Sequence, residues 1–213
     1  MGVSWTKEVV MANKFLNKTI PMIRRDFPGE KGEKIVSLSK KNFEELCTLH
    51  SDEPKALKKH THNQIYCILA IQKAMEAEGF SREEAGQYLT DRMAERCNIM
   101  SPKLQKIMSF CNIWKKVPTI FSKVVPKMFG PDAGFEAEYI ITTKERSKFD
   151  MKKCPYATIF KREGYPELCK ICCMSDDLTY GKLSPEHLGW GRTKTIGRGD
   201  DVCDFDIFYL DRK

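Results

Sequence analysis

Nowhere among the 213 residues does an apolar run approach the roughly 18–20 positions that a bilayer-spanning helix needs. The first ten residues, Met1 to Val10, make no secretory leader either, because Lys7 and Glu8 interrupt their only apolar patch. Together the two absences predict a cytoplasmic protein that does not enter a membrane. Internal repeats and low-complexity segments are also lacking, which removes solenoids and other repeat architectures. Histidine is scarce, at four residues. His60 and His62 sit close together at a helix start, where capping or surface exposure is the ordinary role. No third ligand can be placed beside them to complete a metal site. His187, in a loop near the C-terminal motifs, is a weaker candidate acid or base.

The residues that are present describe an ordinary folded chain. Hydrophobic residues make up 41% and charged residues 31% of 24.6 kDa, enough for one domain or two small ones with a real core. The formal charge of +7 raises the question of nucleic acid, but the cations are spread along the chain among 29 acids. A nucleic-acid binder concentrates them on one surface and adds stacking aromatics. A solvated basic surface that attracts a small anionic substrate fits better. Cysteine is abundant, at nine. In a reducing cytosol thiols stay free unless they bind metal or catalyse. Cys47, Cys67, Cys97 and Cys111 are scattered through helical patterns as buried structural thiols. Cys154, Cys169, Cys172, Cys173 and Cys203 all fall in the last third, and that asymmetry points to where function lies.

The pattern predicts an α+β fold: a helical N-terminal region, residues 1–130, followed by a C-terminal antiparallel sheet covered by helices, residues 131–213. A first helix over 3–26 places Val9, Val10, Phe15, Leu16 and Ile20 at helical spacing until Pro21 disturbs it. A second, over 36–50, buries Leu38, Phe43, Leu46 and Leu49. A third, over 61–78, ends at Gly79 in a left-handed cap. Ser81 with Glu84 forms a capping box for a helix to Cys97, and Ser101-Pro102 opens another. Pro118 and Pro126 divide the next stretch into short helical pieces, and Phe129-Gly130-Pro131 ends the helical region. After Gly134 the period changes to two: Phe135, Ala137, Tyr139 and Ile141 share one side of a strand. Helices over 155–163 and 166–179, then strands over 190–197 and 202–210 joined by Arg198-Gly199-Asp200-Asp201, complete a β-α-α-β-β order.

Three C-terminal segments carry the candidate chemistry. On the 166–179 helix, Cys169 and Cys173 share a face, with Asp176 and Asp177 one turn on. Such a set suits a zinc site or a low-pKa thiol nucleophile; Pro166 sets Cys169 in the first helical turn, where the dipole favours a thiolate. As a strand, Trp190 to Gly197 sends Arg192 and Lys194 to one face, a fork for a substrate carboxylate with Arg192 the bidentate partner. In the closing strand Cys203 alternates with Asp204, so Cys203 is either core or a ligand or nucleophile that meets the Cys169 helix.

Cys154-Pro155-Tyr156, Phe160-Lys161 and Gly164-Tyr165-Pro166-Glu167-Leu168-Cys169 recur in one order with Cys173-Met174-Ser175-Asp176-Asp177. Gly191-Arg192-Thr193-Lys194-Thr195-Ile196-Gly197, Gly199-Asp200 and Cys203-Asp204-Phe205 come after them. In these words, over roughly 154–208, the chain resembles the L-2-amino-thiazoline-4-carboxylic acid hydrolase family. The resemblance implies hydrolysis of a cyclic amidine-like C–N bond, giving N-carbamoyl-cysteine from the thiazoline. A fainter likeness is to sensor domains related to 4-vinyl reductases, which place zinc-binding cysteines around a terminal Gly-Asp-x-x-Cys, as in Gly199 to Cys203. Thr195 stands where a further cysteine would complete that set.

The expectation is therefore an enzyme in which a thiolate or a metal-activated water attacks the amidine carbon. Cys169, Asp176, Asp177 and Cys203 are its candidate catalytic groups, with Cys169 the first choice as nucleophile or ligand. Arg192, Lys194, Thr195 and Asp204 are candidates for holding a small substrate that bears a carboxylate and an amidine-like group. Should a divalent metal such as zinc be used, Cys169, Cys173 and Cys203 would be its ligands. The alternatives are a non-catalytic sensor-like module with a structural cysteine–zinc site, and a redox thiol protein. Neither nucleic acid nor membrane is an expected partner, and self-association into a homo-oligomer stays open.

Overall fold

The computed structural model describes residues 14–110 and 112–210. The expectations for Val9 and Val10 and for Cys111 lie outside the described residues. Among the described residues no helix is long and apolar enough to cross a membrane. The architecture is α+β: helices occupy the N-terminal part and a four-stranded antiparallel sheet the C-terminal part. The chain divides into two compact units, Met1–Arg92 and Met93–Lys213.

In the first unit α1 (Lys14–Asp26) tolerates Pro21 inside it and buries Phe15, Leu16, Ile20 and Ile23. Helix α2 (Glu30–Leu49) begins six residues earlier than its apolar pattern suggests. Its buried stripe is Ile35, Val36, Ser39, Phe43 and Leu46, while Leu49 is 70% exposed. Ser39 serves on that stripe because its hydroxyl returns to the Ile35 carbonyl at 2.7 Å, which satisfies it without a partner from outside. Helix α3 (Lys55–His60) passes through one π turn, Thr61–Ile65, into α4 (Tyr66–Ala77). Every residue from Tyr66 to Met75 except Lys73 is buried, so α4 is the central helix and needs no polar face. His60 is buried rather than at the surface. Glu53 accepts the Tyr66 hydroxyl at 2.5 Å and the Thr61 hydroxyl at 3.0 Å. Gly79 ends the segment at φ 88°.

The capping box forms as expected. The Glu84 amide donates to Ser81 Oγ at 3.1 Å, and the Ser81 amide donates to Glu84 Oε2 at 2.7 Å. The helix it starts, α5 (Arg82–Phe110), continues through Pro102 instead of stopping near Cys97. Ser101 is therefore inside the helix, not its N-cap, and is buried with its hydroxyl aimed at the Leu178 carbonyl at 3.4 Å. Packing of Cys97 and Ser101 in the second unit outweighs the one backbone hydrogen bond that proline removes. Short helices α6 (Val117–Lys123) and α7 (Val125–Met128) each carry proline in their first turn.

The sheet runs β1 (Glu136–Thr142), β2 (Arg146–Lys153), β4 (Cys203–Tyr209) and β3 (Leu188–Trp190) in spatial order, all antiparallel. The expected β-α-α-β-β order omits β2. Its sequence, RSKFDMKK, has only Phe149 and Met151 as large apolar side chains among five charges, so the alternation is hidden. Tyr139 faces Phe149 in register and Phe149 faces Phe205, giving an aromatic row with centroids 4.9 Å apart at both steps. Such cross-strand pairs fix register. The connection from β2 to β3 carries α8 (Pro155–Arg162) and α9 (Cys169–Tyr180), the latter preceded by a 3-10 turn, Pro166–Leu168.

Replacing Ser81 by Ala should cost about 1 kcal/mol, with an unchanged slope, in urea unfolding of the full chain. A loss below about 0.3 kcal/mol would show that the box adds nothing to global stability.

Candidate functional site

The segment after Trp190 is not a strand. Only Leu188–Trp190 pairs with β4; residues 191–195 have no regular structure, and Ile196–Arg198 forms a 3-10 turn. The reason is local: acids and a thiol from the next segment take the amides that a ladder would use. Asp204 Oδ1 accepts the Thr193 amide at 2.8 Å and the Lys194 amide at 2.5 Å. Asp200 Oδ2 accepts the Thr195 amide at 2.7 Å, and Cys203 Sγ the Ile196 amide at 3.2 Å. The expected shared face of Arg192 and Lys194 is lost with the strand.

Arg192 turns inward, its side chain only 1% exposed. The guanidinium lies over the rings of Trp190 at 5.6 Å and Phe205 at 5.2 Å. Nε donates to Asp177 Oδ1 at 3.0 Å and Nη1 to Asp176 Oδ2 at 3.2 Å. Nη2 lies 2.7 Å from Asp177 Oδ2 and donates to the Cys173 carbonyl as well. Trp190 Nε1 adds a bond to Asp177 Oδ1 at 2.9 Å. The chain's own acids thus occupy the Arg192 fork. Lys194 is exposed, its ammonium 3.4 Å from Asp201. Asp204 is held by the Thr193 hydroxyl at 2.5 Å besides the two amides.

The thiols meet at the start of α9. Cys169 is a hydrogen-bond neighbour of both Cys154 and Cys173. Gly197 presses against the last two: a Cβ built there would stand 2.8 Å from Cys173 Sγ and 3.0 Å from Cys169 Sγ. Cys169 has one thiol proton to offer the sulfurs of Cys154 and Cys173. Hydrogen bonding to Cys154 first, then to Cys173, with burial, pushes Cys169 far up, so it keeps its proton. Cys173 goes the other way, to about 6. The Cys169 thiol is the main cause, opposed by burial and aided by the Arg192 charge, the Thr195 hydroxyl and the Gly197 amide. Cys154 is also lowered, first by Cys169 and then by the nearby amides of Ala157 and Tyr156 at the start of α8. Burial pushes Cys203 up to about 12.

Asp176 completes the group. Burial pushes its carboxyl up to about 7 in spite of the Arg192 guanidinium, with the charges of Cys173 and Asp177 adding to the rise. Its side chain still keeps 37% of its surface, so it is open on one side and hemmed in elsewhere. Tyr156 and Tyr180 stand close enough to feel its charge, and burial holds both phenols protonated.

The structure therefore brings Cys169, Cys173, Asp176, Asp177, Arg192, Thr195 and Cys203 into one region, and leaves Lys194 and Asp204 on its solvent side. Thr195 is buried, and its hydroxyl has no oxygen or nitrogen partner among the described residues. His187 belongs elsewhere: its ring stacks on Trp114 at 4.1 Å, beside Tyr209 at the other end of β4 from Cys203. Cys154, Tyr156, Tyr180, Trp190 and Gly197 were not among the expected site residues. The signal for Cys154 was available, since Cys-Pro before a helical pattern sets the thiol at an N-cap. Nothing local marks Tyr180, and Gly197 closes one of the motif words without any sign that it lies against two sulfurs. Among the described residues no group of three or more His, Cys, Asp or Glu side chains is disposed to hold a metal ion. The present geometry does not fit zinc.

The profile of the family described as L-2-amino-thiazoline-4-carboxylic acid hydrolase matches residues 58–207. No curated protein matches the chain. Among solved structures it is similar to an Fe(II) unliganded H-NOX protein from K. algicida, at 9% identity and TM-score 0.36, over 92% of this chain and 95% of that one. It is also similar to a trafficking protein particle complex subunit 3 from Naegleria fowleri covalently bound to palmitic acid. There the identity is 15% and the TM-score 0.27, over 85% of this chain and 98% of that one. Likenesses this distant carry no argument about fold or ligand.

Alkylation of the full-length protein by iodoacetamide, mapped by peptide mass spectrometry, should modify Cys173 first, with a rate midpoint near 6. In Gly197→Ala the added methyl pushes the two sulfurs aside, so the midpoint should move toward the ordinary thiol value, about 8.5. An unmoved midpoint would show that Gly197 does not set the thiolate.

Proposed function

The chain belongs to the L-2-amino-thiazoline-4-carboxylic acid hydrolase family, and we propose that it opens a small cyclic amidine carboxylate with Cys173 as nucleophile and Asp176 as proton carrier. One arrangement carries this reading: Cys173, with the Cys169 sulfur beside it, and Asp176, bonded to Arg192, lie one helical turn apart on α9, and these surroundings lower the thiol to about 6 and raise the carboxyl to about 7. Two groups whose environments move them away from their ordinary values, and toward neutrality, are the mark of an acid–base pair. Cys169, buried and protonated, serves as the donor that holds the Cys173 thiolate.

The chemistry closes on these two groups. The Cys173 sulfur adds to the amidine carbon, the ring C–S bond breaks, and the departing ring sulfur takes the Asp176 proton. Water then adds to the enzyme-bound isothiourea carbon, giving one proton to Asp176 and the other to an amidine nitrogen. The bond to Cys173 breaks and the thiolate returns, leaving a urea. For a thiazoline the bond opened must be C–S, not the C–N bond that the resemblance suggested, because an N-carbamoyl product keeps both nitrogens on the reacting carbon. Arg192 is a positioning residue: it fixes Asp176 and Asp177 to the Cys173 carbonyl, and its charge favours the thiolate. The exposed Lys194 is the cation left to meet a substrate carboxylate. Thr195 steadies Cys173.

Thiazoline ring opening, followed by the appearance of free thiol, tests the proposal. Cys173→Ala should abolish turnover, and Asp176→Asn should lower kcat by about 10²–10⁴-fold. Cys169→Ser should retain measurable turnover with its acid-side midpoint raised. Since Cys173 must be ionised and Asp176 protonated, kcat/KM should rise through about 6 and fall through about 7. Full turnover in Cys173→Ala would end this assignment.

A further inference from the structure

A recess lies at the end of β4 far from Cys203. Tyr209, its last residue, is six positions from Cys203, about 20 Å along the strand. The recess has a volume near 530 Å³, within the usual range for small-molecule sites. Its wall is α6 and the turn before it, and its rim is the β1–β2 hairpin. Lys116, Ile120 and Lys123 are spaced four and three apart and share one helical face. Lys115, whose ammonium lies 5.4 Å from the centre of the Trp114 ring, and the hairpin residue Lys144 complete the lining.

Four lysines thus line the recess with one acid, Glu145. None of the four has a carboxylate partner among the described residues, although the surface elsewhere pairs lysines with acids, as in Lys34–Glu30 and Lys152–Glu138. Four like charges beside a single acid leave a net repulsion, and a bound anion relieves that cost. The wall between them is apolar: Ile120 and Val124 are 38% and 45% exposed. The Tyr209 hydroxyl is tied back to the Lys115 carbonyl at 2.5 Å, and its ring packs edge-on against Trp114 at 5.4 Å. That anchors the corner where Lys115 projects. We propose that this recess binds a small organic phosphate, its doubly charged head held by the lysines and its apolar body laid on Ile120 and Val124. Four ammonium charges are balanced better by a doubly charged phosphate than by a singly charged carboxylate. A recess of this size suits a small molecule better than a nucleic-acid strand, which needs an extended basic track.

Calorimetric titration of the full-length protein with phenyl phosphate, inorganic phosphate and benzoate tests this. Phenyl phosphate should bind tighter than either of the others by about tenfold or more. Lys123→Glu and Lys144→Glu should each weaken it by about tenfold or more, and Cys173→Ser should leave it unchanged. Both lysines are exposed; a thermal melt checks folding, and Lys144→Gln gives the same reading should a charge reversal unfold the chain. Affinity unmoved by the lysine changes, equal affinity for phosphate with and without its phenyl group, or no saturation by about 10 mM would overturn the proposal. Ring-opening activity is read separately, so failure here leaves the Cys173 assignment intact.

Discussion

A guanidinium with almost no access to water governs this site. A charge in that position must find a full set of partners or it would unfold its surroundings. Arg192 finds them by drawing two carboxylates and a main-chain carbonyl of α9 onto itself, against two aromatic rings from β3 and β4. Helix and sheet edge are thereby locked in one relation. That lock sets where Cys173 points, how Asp176 is enclosed, and why Gly197 can lie against two sulfurs.

The acids of the closing strand do a second job. A strand rich in aspartate beside a segment rich in unpaired amides offers an alternative to a β-ladder, and the chain takes it. Asp200, Asp204 and Cys203 hold the amides of residues 193–196, so the backbone leaves the sheet and curls over the start of α9. Asp206, by contrast, faces β2 and pairs with Arg146 at 2.6 Å and 3.0 Å. Neighbouring carboxylates of one strand thus serve a loop and a sheet.

Legibility varied with the range of the forces involved. Ser81 and Glu84 announced a helix start because both partners lie within one turn. The Phe135–Ile141 alternation announced β1 for the same reason. Pro102 misled because α5 is anchored on both sides of it, by Cys97 and Ser101 before and Gln105 after, to residues some 80 positions away. Strand β2 was hidden by its charges, since its register depends on aromatic partners in β1 and β4. The members of the site were legible as residue types in recurring words; their division of labour was not. Cys169 drew attention as a helix-start thiol, whereas Cys173 has the neighbours that remove its proton.

Composition, periodicity and recurring words by themselves determined the fold class, the crowding of thiols and acids into the last third, and the family. Those properties depend on contacts between residues close in sequence or on strings that recur whole. Only the tertiary structure decided which thiol is lowered, which carboxyl is raised and which arginine is already occupied. Proton affinity depends on the groups standing within a few ångströms, and here those neighbours come from α8, α9, the loop after β3 and β4 at once.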